Sequence, residues 1–183
     1  MIDFDFIGEL EGKSLVGYVP KPDGGATEPG VTIANGFDIG QRTHMEIMRA
    51  FGTELGGKLA PYAGYTGYDA IDRLALIPLT IAESECAAIN AYAHKEATDR
   101  LIAAWNKESF TPFSMIPDEA QTVVASVSFQ YGSLAKATPN FWRQTTTGDW
   151  KGALANLRNF DDVFPTRRNK EADKLESRIN EAQ

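Results

Sequence analysis

The chain has 183 residues, 43% hydrophobic and 23% charged, enough for one domain with a sizeable core. No run approaches the ~20 consecutive apolar residues needed to span a bilayer as a helix, so a membrane role is not expected. The net charge of −7 argues against a general nucleic-acid binder, which needs a basic face to displace phosphate counterions.

The N-terminus, MIDFDFIGELEG, carries acid where a secretory leader would be basic, so no Sec-type signal peptide is expected and external work would need another carrier. Residues 2–11 read as a short helix with Ile2, Phe6, Ile7 and Leu10 on one side, stopped by Gly12. LVGYVP is strand-like, and a turn-rich connection rich in proline and glycine follows it. GVTIANGF is β-branched, apolar and glycine-punctuated, and reads as a second strand that Asn35 and Gly36 bend. Short helices are predicted over about residues 43–51 and 67–76, separated by the flexible GGKLAPYAGYTG. Thr80 with Glu83 forms a capping box that opens a long helix to about Trp105. SFTPFSMIP breaks it with two prolines. Pro117, Asp118 and Glu119 suit the start of the next helix, whose Val123, Val124 and Val127 make it apolar on much of its surface and place it centrally. NFWRQTT and WKGALANL are predicted helices, the second capped by Asp149. The last helix begins near Thr166 and carries Ala172, Leu175 and Ile179 at helical spacing.

This order predicts an α+β fold in one domain over residues 1–183. A small N-terminal lobe over about residues 1–75 would bear a β-hairpin or meander, and a larger all-α lobe would run over about 80–183. A cleft between such lobes is a natural place for an extended polymer.

Cys86, the single cysteine, rules out a disulfide framework and a Cys-rich zinc site, and reads as a small buried hydrophobe. His44 and His94 have no ligand-spaced partner and read as solvated or capping residues. No cofactor and no metal are expected. Trp105, Phe110, Phe113, Phe141, Trp142 and Trp150 read as core, whereas Tyr62, Tyr65 and Tyr68 lie among Gly and Pro and are expected on the surface, where they could stack on sugar rings.

Hydrolysis of a glycoside needs two carboxyls flanking the bond, one holding a proton for the leaving oxygen and one ionised. Glu11, at the end of the first predicted helix, fits the acid role, because the negative end of a helix dipole favours a protonated carboxyl; it also reads as an ordinary surface helix end, and Glu9 is a local competitor. Asp38 as base and Thr32 as the hydroxyl that orients water form the second candidate group. Asp38 also reads as a turn residue and Thr32 as an ordinary strand residue.

EGKSLVGY resembles the phage-type lysozyme pattern, in which a helix ends on the catalytic glutamate in Glu-Gly and a tyrosine follows seven residues later; here these are Glu11, Gly12 and Tyr18. GVTIANGFDIGQ resembles the glycine-flanked strand of those enzymes, and more closely that of the pesticin-like branch, bacterial toxins with a phage-lysozyme fold. SFQYG, DWKGALANL and FPTRRNKEADKL resemble later segments of the phage enzymes in the same order, so the resemblance covers most of the chain.

Ordinary phage lysozymes carry the base nine residues after the glutamate, but that place is Pro20 here. The pesticin-like arrangement puts the aspartate after the strand threonine, which matches Thr32 and Asp38; Asp23 is the fallback base.

The resemblance therefore implies a lysozyme-like fold with Glu11 as acid, Asp38 as base and Thr32 as the water-positioning residue. Gln130 and Tyr18 would contact substrate. Arg168, in preference to Arg167, would be the arginine that pairs with the glutamate and holds the lobes together. It further implies an inverting muramidase that cuts the β-1,4 bond between N-acetylmuramic acid and N-acetylglucosamine in peptidoglycan. Such an enzyme is expected to be a monomeric phage endolysin, toxin or effector domain, with an immunity or inhibitor protein as a further partner. It would act in the periplasm or cell wall after delivery by a holin, a secretion system or a larger toxin. Two rivals are a module that binds peptidoglycan without cutting it and an acidic interaction or inhibitor protein.

Overall fold

The computed structural model describes residues 1–21 and 28–181, with side chains as far as Ser177; Asp23 and the side chain of Ile179 lie outside the described residues. The chain is mostly helical with one small antiparallel sheet, the α+β class expected.

Helix α1 spans Phe4–Leu10. Asp3 Oδ1 accepts from Phe6 N–H at 2.9 Å and so caps its start. Strand β1 is Ser14–Tyr18, β2 is Thr32–Ala34 and β3 is Phe37–Asp38, in the order β1-β2-β3. The segment that reads as one strand is thus a hairpin. Ala34 and Gly36 take φ of 55° and 93°, and the backbone reverses there.

Helix α2 spans His44–Leu59 and α3 Gly67–Leu76. The sequence predicts that α2 stops near Phe51, but it kinks at Gly52 (φ 70°) and continues. Burial of Leu55 and Leu59 outweighs the poor helix propensity of the glycines beside them. Thr43 and Glu46 make a full capping box at its start. The box expected at Thr80 and Glu83 does not form. Thr80 instead bridges to Val16, Glu83 bonds Lys13, and Glu85 accepts from Ala82 N–H to open helix α4, Glu83–Glu108.

Helix α5, Asp118–Tyr131, is buried over every residue from Ala120 to Ser128 and is the central helix expected. Helices α6 (Leu134–Ala137), α7 (Pro139–Thr146), α8 (Trp150–Arg158) and α9 (Pro165–Glu181) complete the chain. Asp149 caps α8 through Gly152 N–H at 2.9 Å.

Two compact units result, Met1–Leu10 with residues 94–183, and Glu11–Ala93. Each has its own core. In the first, Ile7, Trp105, Phe113, Phe141 and Trp142 surround Val123, Val124 and Val127 of α5. The second gathers Ile33, Phe37 and Ile39 of the hairpin segment with Ile47, Leu59 and Ile89.

Three aromatic or histidine expectations are corrected. Phe110 is fully exposed, in the loop after α4. Tyr62 is buried, with its hydroxyl bonded to Ile77 O, because the turn that carries it packs under α3. His94, expected to be a solvated or capping residue, packs against aromatic rings. It is half-buried and stacks between Phe4 and Phe129, with centroids 4.9 and 5.1 Å away. Cys86 is buried as expected.

Candidate active site

The hairpin is built on alternation. Ile33 pairs with Phe37 and both enter the core, so the neighbouring pair, Thr32 with Asp38, takes the opposite face. Tyr18 of β1 pairs with the same Thr32. Three of the residues named by the sequence, Tyr18, Thr32 and Asp38, therefore stand in one row across the sheet. Residues directly opposite on adjacent strands have Cβ atoms about 4.5–5.5 Å apart.

Backbone contacts lock this row. Asp38 Oδ2 accepts from Gly30 N–H at 3.1 Å and Oδ1 from Gln41 N–H at 3.3 Å. Thr32 Oγ1 donates to Gly30 O at 3.2 Å. The glycines that flank the segment have a steric reason to be there. A Cβ on Gly40 would strike Tyr65 O and Gly30 Cα, and one on Gly30 would strike Gly40 Cα and the Asp38 carboxylate. Most of these obstacles are backbone, which cannot rotate away. Gly40→Ala is accordingly expected to cost about 1–3 kcal/mol, read as a lower urea midpoint with an unchanged slope.

Glu11 follows directly on the last residue of α1 and reaches the tip of this hairpin, where its Oε2 accepts from Asn35 Nδ2 at 3.4 Å. Asn35 is gripped in turn by Asn90 of α4. Its backbone N–H donates to Asn90 Oδ1 at 3.1 Å, and its Oδ1 accepts from Asn90 Nδ2 at 3.0 Å. The sequence reading did not find this pair. Asn-Gly is a hairpin signal by itself, but nothing local links Asn35 to a partner 55 residues away.

The unit comprising Glu11–Ala93 thus holds Glu11, Tyr18, Thr32 and Asp38, whereas Gln130, Arg167 and Arg168 belong to the other unit. Arg168 is 1% exposed there. It donates to Asp162 Oδ2 at 2.8 Å, to Glu171 Oε2 and to Gln130 Oε1. Arg167 bonds Glu171 and Ser126, and its Nη1 reaches Leu10 O, the carbonyl that ends α1, at 3.4 Å. The two arginines meet on Glu171, one at each oxygen, and their remaining bonds go to different partners. Burial pushes the Glu171 carboxyl up, against the pull of both arginines. Burial also pushes Asp162 up, but its bonds from Tyr131, Phe164 N–H and Arg168 outweigh that and bring it below the usual range. Tyr131, desolvated and beside Asp162, is pushed up to about 12.

The model of the Pesticin family, described as a bacterial toxin homologue of phage lysozyme, C-terminal, matches residues 1–151. The chain belongs to the pesticin family. No curated protein matches it. The pesticin match takes in α1, the whole sheet and α5, so Glu11, Tyr18, Thr32, Asp38 and Gln130 lie inside it and the two arginines of α9 outside. The α+β architecture is that of a lysozyme-like member of this family. Among the described residues no helix is long and apolar enough to cross a membrane.

Proposed function

We propose that the protein is a muramidase that hydrolyses the β-1,4 bond between N-acetylmuramic acid and N-acetylglucosamine in peptidoglycan, with inversion. Glu11 gives its proton to the leaving oxygen of the glucosamine. Asp38 takes a proton from the water that attacks C1 of the muramic sugar. Thr32, whose hydroxyl hydrogen is committed to Gly30 O, keeps lone pairs to accept from that water and aim it.

One observation carries this reading: Tyr18, Thr32 and Asp38 share a row of the sheet, and the tip of the same hairpin bonds Glu11. Inversion requires ~6.5–9.5 Å between the Glu11 and Asp38 carboxyls, room for a water. Tyr18, 40% exposed at the edge of the row, offers a ring face to a sugar. Membership of a toxin family supports delivery to the wall of a target cell, with an immunity protein as partner in the producer.

Mass spectrometry of digested peptidoglycan tests the bond. Products ending in reducing N-acetylmuramic acid are expected, formed first as the α-anomer by proton NMR, and Asp38→Asn is expected to slow their release about 10²–10⁴-fold. Reducing-end glucosamine, a first-formed β-anomer, or binding without release would each overturn the assignment.

A further inference from the structure

The tip of the hairpin carries more structure than a turn needs. Ala34 is held at φ 55° although it has a side chain and is 1% exposed, a conformation that costs roughly 1–2 kcal/mol in an L-residue. Such strain persists only where the surroundings impose it. Beside Ala34 the amide of Asn90 grips the next residue, Asn35, at two points.

The orientation of both amides follows from a single unambiguous donor. The backbone N–H of Asn35 can only donate, so the Asn90 atom that it meets must be the carbonyl oxygen, Oδ1. The other end of the Asn90 amide is then NH2. It donates to Asn35 and also faces Cys86 Sγ at 3.6 Å, one turn earlier in α4. The Asn35 atom receiving that bond must be its oxygen, which leaves the Asn35 NH2 directed at Glu11 Oε2.

We propose that Asn35 is a positioning residue for Glu11 and that Asn90 sets the direction of its amide. The inference rests on the muramidase reading, in which Glu11 becomes a carboxylate as the glycosidic bond breaks. The Asn35 N–H fixes the rotation of the carboxyl in the resting protein, through a bond of 3.4 Å. It strengthens as negative charge develops on Oε2, since a hydrogen bond to an ionised acceptor is shorter and about twice as strong. A donor aimed in advance at developing charge lowers the barrier without reorganising during the reaction.

Two variants separate this role from that of a simple turn clamp. Asn35→Ala removes the donor. Asn90→Asp keeps the acceptor for the Asn35 backbone N–H, and so the turn, but removes the donor to Asn35 Oδ1. The Asn35 amide then flips and turns its oxygen toward Glu11. Both variants are expected to lower kcat about 10–100-fold with KM within about 2-fold of wild type. In both, the alkaline limb of the kcat/KM profile moves to higher pH, because the ionised acid has lost a donor. Adding Asn35→Ala to Glu11→Gln should cause no further loss. An alkaline limb that stays in place, or losses of activity that merely follow a fall in Tm, would overturn the proposal.

A readout without turnover keeps the two readings distinct. The side-chain NH2 cross-peaks of Asn35 in a 15N–1H spectrum are expected to move in the Glu11→Gln and Asn90→Asp proteins. Cross-peaks that ignore both substitutions overturn the relay. A wild-type chain inactive on peptidoglycan would sink the muramidase reading, while the response of the amide would still report on the relay.

Discussion

Glu11→Gln is expected to lower the release of glycan from purified peptidoglycan by about 10²–10⁴-fold while leaving Tm near that of wild type. The size follows from the chemistry. A sugar alkoxide is too basic to leave without a proton, and the amide of glutamine has none to give at neutral pH. The selectivity follows from the site. Glutamine has the shape of glutamate and keeps an oxygen to accept from Asn35 Nδ2, so the end of α1 and the tip of the hairpin need not move. Dye release and thermal unfolding, measured on the same preparations, check both halves. Undiminished release would hand the acid role to another carboxyl, and Glu9, exposed on α1, is the first to try.

Arg168→Ala is expected to be the most damaging of these changes for stability, at about 3–5 kcal/mol. Arg168 and Glu171 are 1% and 0% exposed, so removing the cation leaves a carboxylate that water does not reach with only Arg167 and Ser126 on one of its oxygens. Asp162 and Gln130 lose a partner at the same time. The guanidinium also lies over the Phe160 ring, 4.8 Å from its centroid, so packing is lost as well as charge.

The deficit depends on pH in a definite sense. Glu171 already binds its proton more tightly in the folded protein than in the unfolded chain, and loss of Arg168 strengthens that preference. A native state that holds the extra proton gains stability as pH falls. Denaturation curves should therefore show the deficit largest near neutral pH and shrinking as pH falls through the raised value of Glu171. A deficit that stays constant from pH 7 to pH 4 would exclude the under-compensated Glu171 carboxylate as its cause.

Much of the helical framework is legible from short-range signals. Asp149 marks a helix start through a bond three residues on, Pro117 marks one through its fixed backbone, and the run of valines in α5 needs no partner to be identified as central. Glu11, Tyr18, Thr32 and Asp38 are likewise named by motif. The misreadings have another origin. α2 runs through Gly52 because Leu55 and Leu59 find a core, and Phe110 stays outside because the loop after α4 turns it out. The Thr80–Glu83 pattern has the right spacing for a cap but loses to a bridge between Thr80 and Val16.

The sequence by itself determined the α+β class, the pesticin family and the identities of the candidate carboxyls, because punctuation and motif are local along the chain. Only the tertiary structure decided that GVTIANGF folds back so that Thr32 meets Asp38, and that Asn90 grips the turn that touches Glu11. Asparagine is common at turns and on helices for many reasons. Which two asparagines meet is settled by how α4 packs against the hairpin, and that depends on the whole core around Ile33, Phe37 and Ile89.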